Sequence, residues 1–137
     1  MEKKKNELVN YVKDHNLSKF VKITNILNPY KVLSQSEVFI LSSKYEGLPN
    51  VLLEAIVLKK FIISTNCPTG PKEILLNGKG GLFFKAGDYK DLSNKILFYS
   101  KNKRKMKKKI SVSFKGLKRY DFKKNLKKYQ SLITDLI

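Results

Sequence analysis

The chain is predicted to be an α/β domain in which helices cover a parallel sheet. Three observations lead there. Short apolar runs of strand length recur near residues 20, 38, 61 and 81, and they are rich in branched and aromatic residues. Segments of helical period separate them, which is the alternation that produces parallel sheets. Glycine and proline stand just after two of the runs, at Gly47-Leu48-Pro49 and Gly70-Pro71, where a strand must turn into a helix.

From the start, Glu2 to His15 is a helix carrying Leu8, Val9, Tyr11 and Val12 at near-helical spacing, and Asn16-Leu17-Ser18 is a turn. Phe20-Val21-Lys22-Ile23 is the first expected strand, followed by the loop Thr24-Asn25-Ile26-Leu27-Asn28. Pro29 opens a short helix through about Gln35, since its missing N–H costs nothing in a first turn. Val38-Phe39-Ile40-Leu41 is then a buried parallel strand ended by Ser42-Ser43. The run Val51 to Leu58 is too continuously apolar for a half-wet helix, so that helix should be covered on most sides.

After the polar break Lys59-Lys60 comes the strand Phe61-Ile62-Ile63-Ser64, then Gly70-Pro71 and a second helix start. Asn77-Gly78 is a turn and Gly81-Leu82-Phe83-Phe84 a strand. Asp88 caps a helix carrying Leu92, Ile96 and Leu97. Lys101 to Ile110 continues as a basic helix. A last helix, Tyr120 to Leu136, puts Phe122, Leu126, Tyr129, Leu132, Ile133 and Leu136 along one side.

Length and composition fit one domain. The 137 residues, 42% hydrophobic, suffice for a core, and no apolar run approaches membrane-spanning length. The lysines of Met1 to Lys5 have no apolar stretch behind them, unlike a secretory signal. Cys67 is the one cysteine and has no internal partner, which suits a reducing, cytoplasmic setting; it reads as a small buried residue. With only His15 beside it, there is no metal cluster to argue from, and no metal or cofactor is expected.

The net charge of +18 is uneven. Residues 1–84 hold 12 Lys plus Arg against 7 acids, and residues 85–137 hold 17 against 4. Three accounts stand: a lysine-rich composition that solubilises the surface, a polybasic face for anionic lipid, and a nucleic-acid surface. The last is weakest, because Lys101 to Lys109 has no interleaved aromatics and no binding motif.

The chemistry gathers at Glu46-Gly47-Leu48-Pro49-Asn50-Val51. Gly47 allows backbone to approach a ligand, and Pro49 suits the first helical turn. The N–H groups of Asn50, Val51 and Leu52 then point outward and attract phosphate or carboxylate. Glu54 leans back toward the same mouth, and Glu46 faces it from the strand end. Acids there would repel a phosphate but accept hydrogen bonds from hydroxyls, as on a ribose or a sugar.

The segment Ser43-Lys44-Tyr45-Glu46-Gly47-Leu48-Pro49-Asn50-Val51-Leu52-Leu53-Glu54-Ala55 resembles the donor-site signature of the retaining glycosyltransferases of family 4, which have the GT-B fold. Its mark is a Glu, seven residues and a second Glu. The resemblance is strong over about residues 5–100 and looser in the tail. It implies a catalytic Glu46 beside the sugar and a Glu54 that holds the ribose. It also implies donor contacts from Gly47, Leu48, Pro49, Asn50, Val51, Thr69 and Gly70. Thr24, Asn25 and Ile26 are candidate base contacts, with a plain surface loop as the alternative. The terminal helix of that family packs back across two lobes.

A full dinucleotide-type domain has about six strands. Four are expected here, so the reading is a partial Rossmann-like sheet, the C-terminal lobe of a GT-B fold. Residues 1–137 would be one domain, incomplete on its N-terminal side. The Gly-Arg…Lys-Gly segment that serves the diphosphate in the resembled family has no counterpart, and Lys44, Lys72 or Lys79 are its possible substitutes. Expected partners are a nucleotide sugar, a glycan or lipid-linked acceptor, a missing N-terminal lobe on a separate chain, and an anionic membrane face touched peripherally. The alternative function is a non-catalytic, nucleotide-sugar- or partner-binding remnant of a split gene.

Overall fold

The computed structural model describes residues 2–25 and 28–135. Three strands form one parallel sheet in the order β1 (Val38–Leu41), β2 (Phe61–Thr65), β3 (Leu82–Phe84). Helices α1 (Glu2–Asp14) and α2 (Pro29–Gln35) precede it. Between the strands lie α3 (Asn50–Val57) and α4 (Pro71–Ile74), and after them α5 (Tyr89–Lys101), α6 (Lys103–Gly116), a 3-10 turn (Leu117–Tyr120) and α7 (Phe122–Thr134).

Strand alternation sorts the core into two layers. On one face Leu41 and Ile62 meet Leu52, Ala55 and Ile56 of α3 and Ile74 and Leu75 of the α4 region. Phe61, Ile63 and Phe84 point the other way, onto Met106 and Ile110 of α6 and Leu92 and Tyr99 of α5. Phe61 and Tyr99 stack with ring centroids 4.5 Å apart. Burial on both sides explains why all five residues of β2 are inaccessible.

The expected strand Phe20–Ile23 does not form. These residues are irregular, with Phe20 84% exposed, while Val21 and Ile23 gather with Val9 and Val12 of α1. The reason is topological. In a doubly wound sheet of order 3-2-1-4-5-6, a strand that precedes the central crossover lies far from the strand that follows it, and the sheet described here has only the three neighbours β1-β2-β3. No described strand occupies the intervening places, so Phe20–Ile23 has nothing to pair with, and β1 keeps an open edge.

Smaller differences also have causes. The basic helix does not run on from Lys101: the Asn102 amide donates to Tyr99 O (3.0 Å) and its side chain to Phe98 O (2.9 Å), closing α5 before α6 begins. Pro49 is the N-cap of α3 rather than its first helical residue. The Leu52 N–H is bonded to Pro49 O at 2.9 Å, which removes it from the set expected to face a ligand. Val51 and Val57 are exposed, so α3 is covered on fewer sides than its sequence suggests. Leu136 and Ile26 lie outside the described residues.

Candidate functional site

Two βα loops meet at the carboxyl edge of β1 and β2, the edge at which open parallel sheets bind ligands. The first runs from Ser42 to Pro49, the second from Asn66 to Gly70. Their contact is directional. The Thr65 hydroxyl donates to Ser43 O at 2.6 Å, and the Cys67 thiol to Ser43 O at 3.2 Å. The Thr69 hydroxyl donates to Glu46 O at 2.7 Å. Thus β2 and its loop hold the backbone of the first loop through side chains.

Gly70 completes the clamp. Its φ is +72°, a region side chains rarely adopt, and a Cβ there would overlap the Gly47 carbonyl oxygen and lie 2.8 Å from Pro49 Cδ. Behind it α4 is tied down by the chain that follows α6. Arg119 Nη2 donates to Glu73 O (3.0 Å), and the Tyr120 hydroxyl donates to a Glu73 carboxylate oxygen (3.1 Å). Burial, then the bond to Glu73, pushes the Tyr120 phenol above its ordinary range.

The side chains of Lys44, Tyr45 and Glu46 make no hydrogen bond to any other described residue. Tyr45, Glu46, Gly47, Pro68 and Thr69 line an open hollow of about 400 Å³. Leu48, Asn50 and Val51 lie exposed beyond it, whereas Pro49 and Gly70 are buried. Gly70 therefore sits beneath the first loop, and the Thr69 hydroxyl is already engaged. Both residues act on the loop that carries Glu46.

Glu54 does not share the hollow of Glu46. It stands half-buried at a separate, mostly apolar groove of about 300 Å³, lined also by Pro29, Leu33, Phe39, Ile40 and Val51 along the open edge of β1. The two acids thus flank the start of α3 from different sides. Thr24 and Asn25 are exposed in the segment leading toward α2, and neither lines the groove.

Sequence reasoning missed a third hollow, of about 510 Å³, at the ends of β2 and β3, lined by Asn66, Phe84, Lys85 and Asp91. Asp91 accepts from the Lys85 amide at 2.9 Å, and that bond, with Lys95 nearby, holds its carboxyl below the ordinary range. The signal was present in Asp88-Tyr89-Lys90-Asp91, where a second acid follows the cap in the first turn. Among the described residues no three His, Cys, Asp or Glu side chains gather as a metal site.

Comparison with known proteins places this geometry. The family model described as Glycosyl transferases group 1 matches residues 1–115. An uncharacterized glycosyltransferase of Methanocaldococcus jannaschii is 44% identical over 72 residues, 52% of this chain and 18% of that protein. The N-acetylgalactosamine-N,N'-diacetylbacillosaminyl-diphospho-undecaprenol 4-alpha-N-acetylgalactosaminyltransferase of Campylobacter jejuni is 32% identical over 79 residues, 57% of this chain and 22% of that enzyme. The chain spans about a fifth of the length of these curated relatives. The crystal structure of Anabaena HepE in complex with UDP superposes with a TM-score of 0.82 at 18% identity, over 95% of this chain and 36% of that one, which shows a shared fold.

Proposed function

The chain belongs to the group 1 glycosyl transferases, and from that premise we propose that it is the donor-binding part of a retaining, family 4 glycosyltransferase. A nucleotide sugar would lie across the carboxyl edge of β1 and β2. Its sugar would pass to a glycan or lipid-linked acceptor brought by a second lobe. The Campylobacter relative is named for a diphospho-undecaprenol acceptor, which favours the lipid-linked case. HepE was crystallised with UDP, which favours a uridine donor.

One observation carries the reading. The first loop is held by its backbone, so its side chains are left for a ligand. Glu46, over the open hollow, is assigned to the sugar and the reaction centre. Glu54, at the groove beside the start of α3, is assigned to the ribose, whose hydroxyls a carboxylate accepts well. Gly47, Leu48, Asn50 and Val51 supply the surface between them, and Thr24 and Asn25 are assigned to the base. Thr69 and Gly70, proposed from the sequence as donor contacts, serve by fixing that surface.

Departure of the nucleoside diphosphate needs its growing negative charge stabilised. The amide end of α3 is suited to that, with Lys44 in the first loop and Lys72 in α4 just after the second. Fixed protein charges are the proposed means, with no resident metal. In this reading residues 1–137 are one donor-binding domain that binds nucleotide sugar at a cytoplasmic site but does not transfer sugar until an acceptor lobe joins it.

Titration calorimetry of the 137-residue chain with UDP and other nucleoside diphosphates tests the assignment. The expected result is selective binding that Glu54→Ala weakens, with Glu46→Ala affecting the intact nucleotide sugar more than the diphosphate. Unchanged diphosphate affinity in Glu54→Ala would sink the ribose role. Robust sugar transfer by the chain alone would show that it needs no second lobe.

A further inference from the structure

Tyr45 carries its ring into solvent from a loop that is otherwise fixed. The ring is 84% exposed and makes no stacking or cation–π contact with any other described residue. A single exposed aromatic is ordinary on a protein surface. What sets this one apart is the backbone on either side of it. Before it, the Thr65 hydroxyl donates to Ser43 O at 2.6 Å, and the Cys67 thiol donates to Ser43 O at 3.2 Å and to Lys44 O at 3.5 Å. After it, the Thr69 hydroxyl donates to Glu46 O at 2.7 Å. Tyr45 is therefore held through both of its neighbours while its side chain stays free.

The ring borders the open hollow of about 400 Å³ together with Glu46, Gly47, Pro68 and Thr69. That size lies within the range of small-molecule sites. The lining has two kinds of surface. Tyr45 and Pro68 offer apolar faces. Glu46 offers a carboxylate without an ion-pair partner among the described residues, and it is the only charged residue of the lining. The Thr69 hydroxyl proton is already given to Glu46 O. A pyranose has the matching halves, C–H bonds on the faces of its ring and hydroxyls around the edge. An aromatic ring packs against the first, and a carboxylate accepts from the second. A sugar bearing a carboxylate of its own would meet Glu46 charge to charge, with no cation in the lining to offset it.

We propose that Tyr45 is a specificity-determining residue that stacks on one face of the transferred pyranosyl group while Glu46 takes its hydroxyls, so that the pair selects an uncharged sugar over a uronic acid. The inference rests on the donor-site reading and deepens it by naming the class of sugar. Tyr45 makes and breaks no bond, so its effect lies in binding.

Calorimetry on the full 137-residue chain with UDP, UDP-glucose, UDP-N-acetylglucosamine and UDP-glucuronate tests this. In Tyr45→Ala, the Kd of whichever neutral nucleotide sugar binds more tightly should rise about fivefold, while the Kd of UDP stays at the parent value. Tyr45→Phe keeps the ring and should bind as the parent does. UDP-glucuronate differs from UDP-glucose only at C6, yet it should bind the parent about tenfold more weakly, and Glu46→Gln should narrow that gap. Because the Tyr45 side chain is exposed, circular dichroism and the thermal melt of its variants should match the parent. Loss of UDP and nucleotide-sugar affinity by the same factor in Tyr45→Ala would overturn the proposal, since the ring would then act on the nucleotide or the loop. An unchanged Kd for the neutral sugar in Tyr45→Ala, an equal loss in Tyr45→Phe, or UDP-glucuronate bound as tightly as UDP-glucose would overturn it too, and each leaves the donor site standing. A parent chain that binds none of the four ligands would instead remove the uridine-donor reading, and this proposal with it.

Discussion

The two loops at the sheet edge use their residues in opposite ways. From Thr65 onward, the second spends its side chains on structure: Thr65, Cys67 and Thr69 all donate to carbonyls of the first loop, and Gly70 lies beneath it. The first loop offers its backbone to those bonds and leaves Lys44, Tyr45 and Glu46 outside them. A loop held by its main chain keeps its shape without consuming the groups that recognise a ligand. Such preorganisation lowers the ordering cost of binding.

The largest effect should come from the two glycines. Gly70→Ala meets both left-handed strain and overlap with Gly47 O, and together these should cost about 3–5 kcal/mol of stability. Gly47 has nothing within 4 Å of a built Cβ and no left-handed φ, so Gly47→Ala should leave stability within about 1 kcal/mol of the parent. Urea unfolding of the pair measures the contrast. Similar losses at both positions would break the distinction between a scaffold loop and a presenting loop.

Much of this was legible because it is local. Asp88 as a cap, Pro29 opening α2, the four-residue β1 and the turn before α3 are each specified by neighbours in sequence. The Glu46 and Glu54 string was equally visible. Pairing was not: Phe20–Ile23 has strand composition, but a strand needs a neighbour, and the sequence of a strand does not say where its partner lies. Nor was the clamp visible, because the groups that Thr65, Cys67 and Thr69 bind are main-chain carbonyls, which every residue carries. The separation of Glu46 and Glu54 into two hollows follows from how α3 rotates its residues about its axis, and spacing alone did not resolve it.

Next in size is Glu54→Ala, which sharpens the comparison from the ligand side. Glu54 is half-buried at the groove and away from the clamp, so its loss should spare the fold. Nucleoside diphosphate affinity should fall by about 1.5–3 kcal/mol, the value of a hydrogen bond to a charged group. A thermal melt unchanged without ligand, together with a smaller ligand-induced shift, is the expected pattern.

Thr69→Val reverses that pattern. It removes the bond to Glu46 O but keeps a branched side chain, so stability should fall by about 1 kcal/mol. Affinity for an intact nucleotide sugar should fall with it, since the Glu46 hollow loses one of its supports. If binding weakens while the melting temperature holds, Thr69 contacts the ligand directly.

The smallest effect is expected at Tyr120, which reaches the second loop from behind by donating to Glu73 of α4. Burial first and this bond second favour the protonated phenol, so its folded-state pKa is raised. The sign follows from that: the folded chain binds this proton more tightly than the unfolded chain does. The contribution is complete below the ordinary phenol pKa of about 10 and is lost as pH climbs through the raised folded value. Tyr120→Phe should cost about 0.5–1 kcal/mol at neutral pH through the missing hydrogen bond. Because the many lysines titrate in the same range, the informative quantity is the stability difference between parent and variant at each pH. That difference should be constant from pH 7 to about 9 and shrink above about 10. A difference that stays flat across the alkaline range would mean that the phenol proton is not held by Glu73, and that α4 is fixed by Arg119 and by the burial of Pro71 and Ile74.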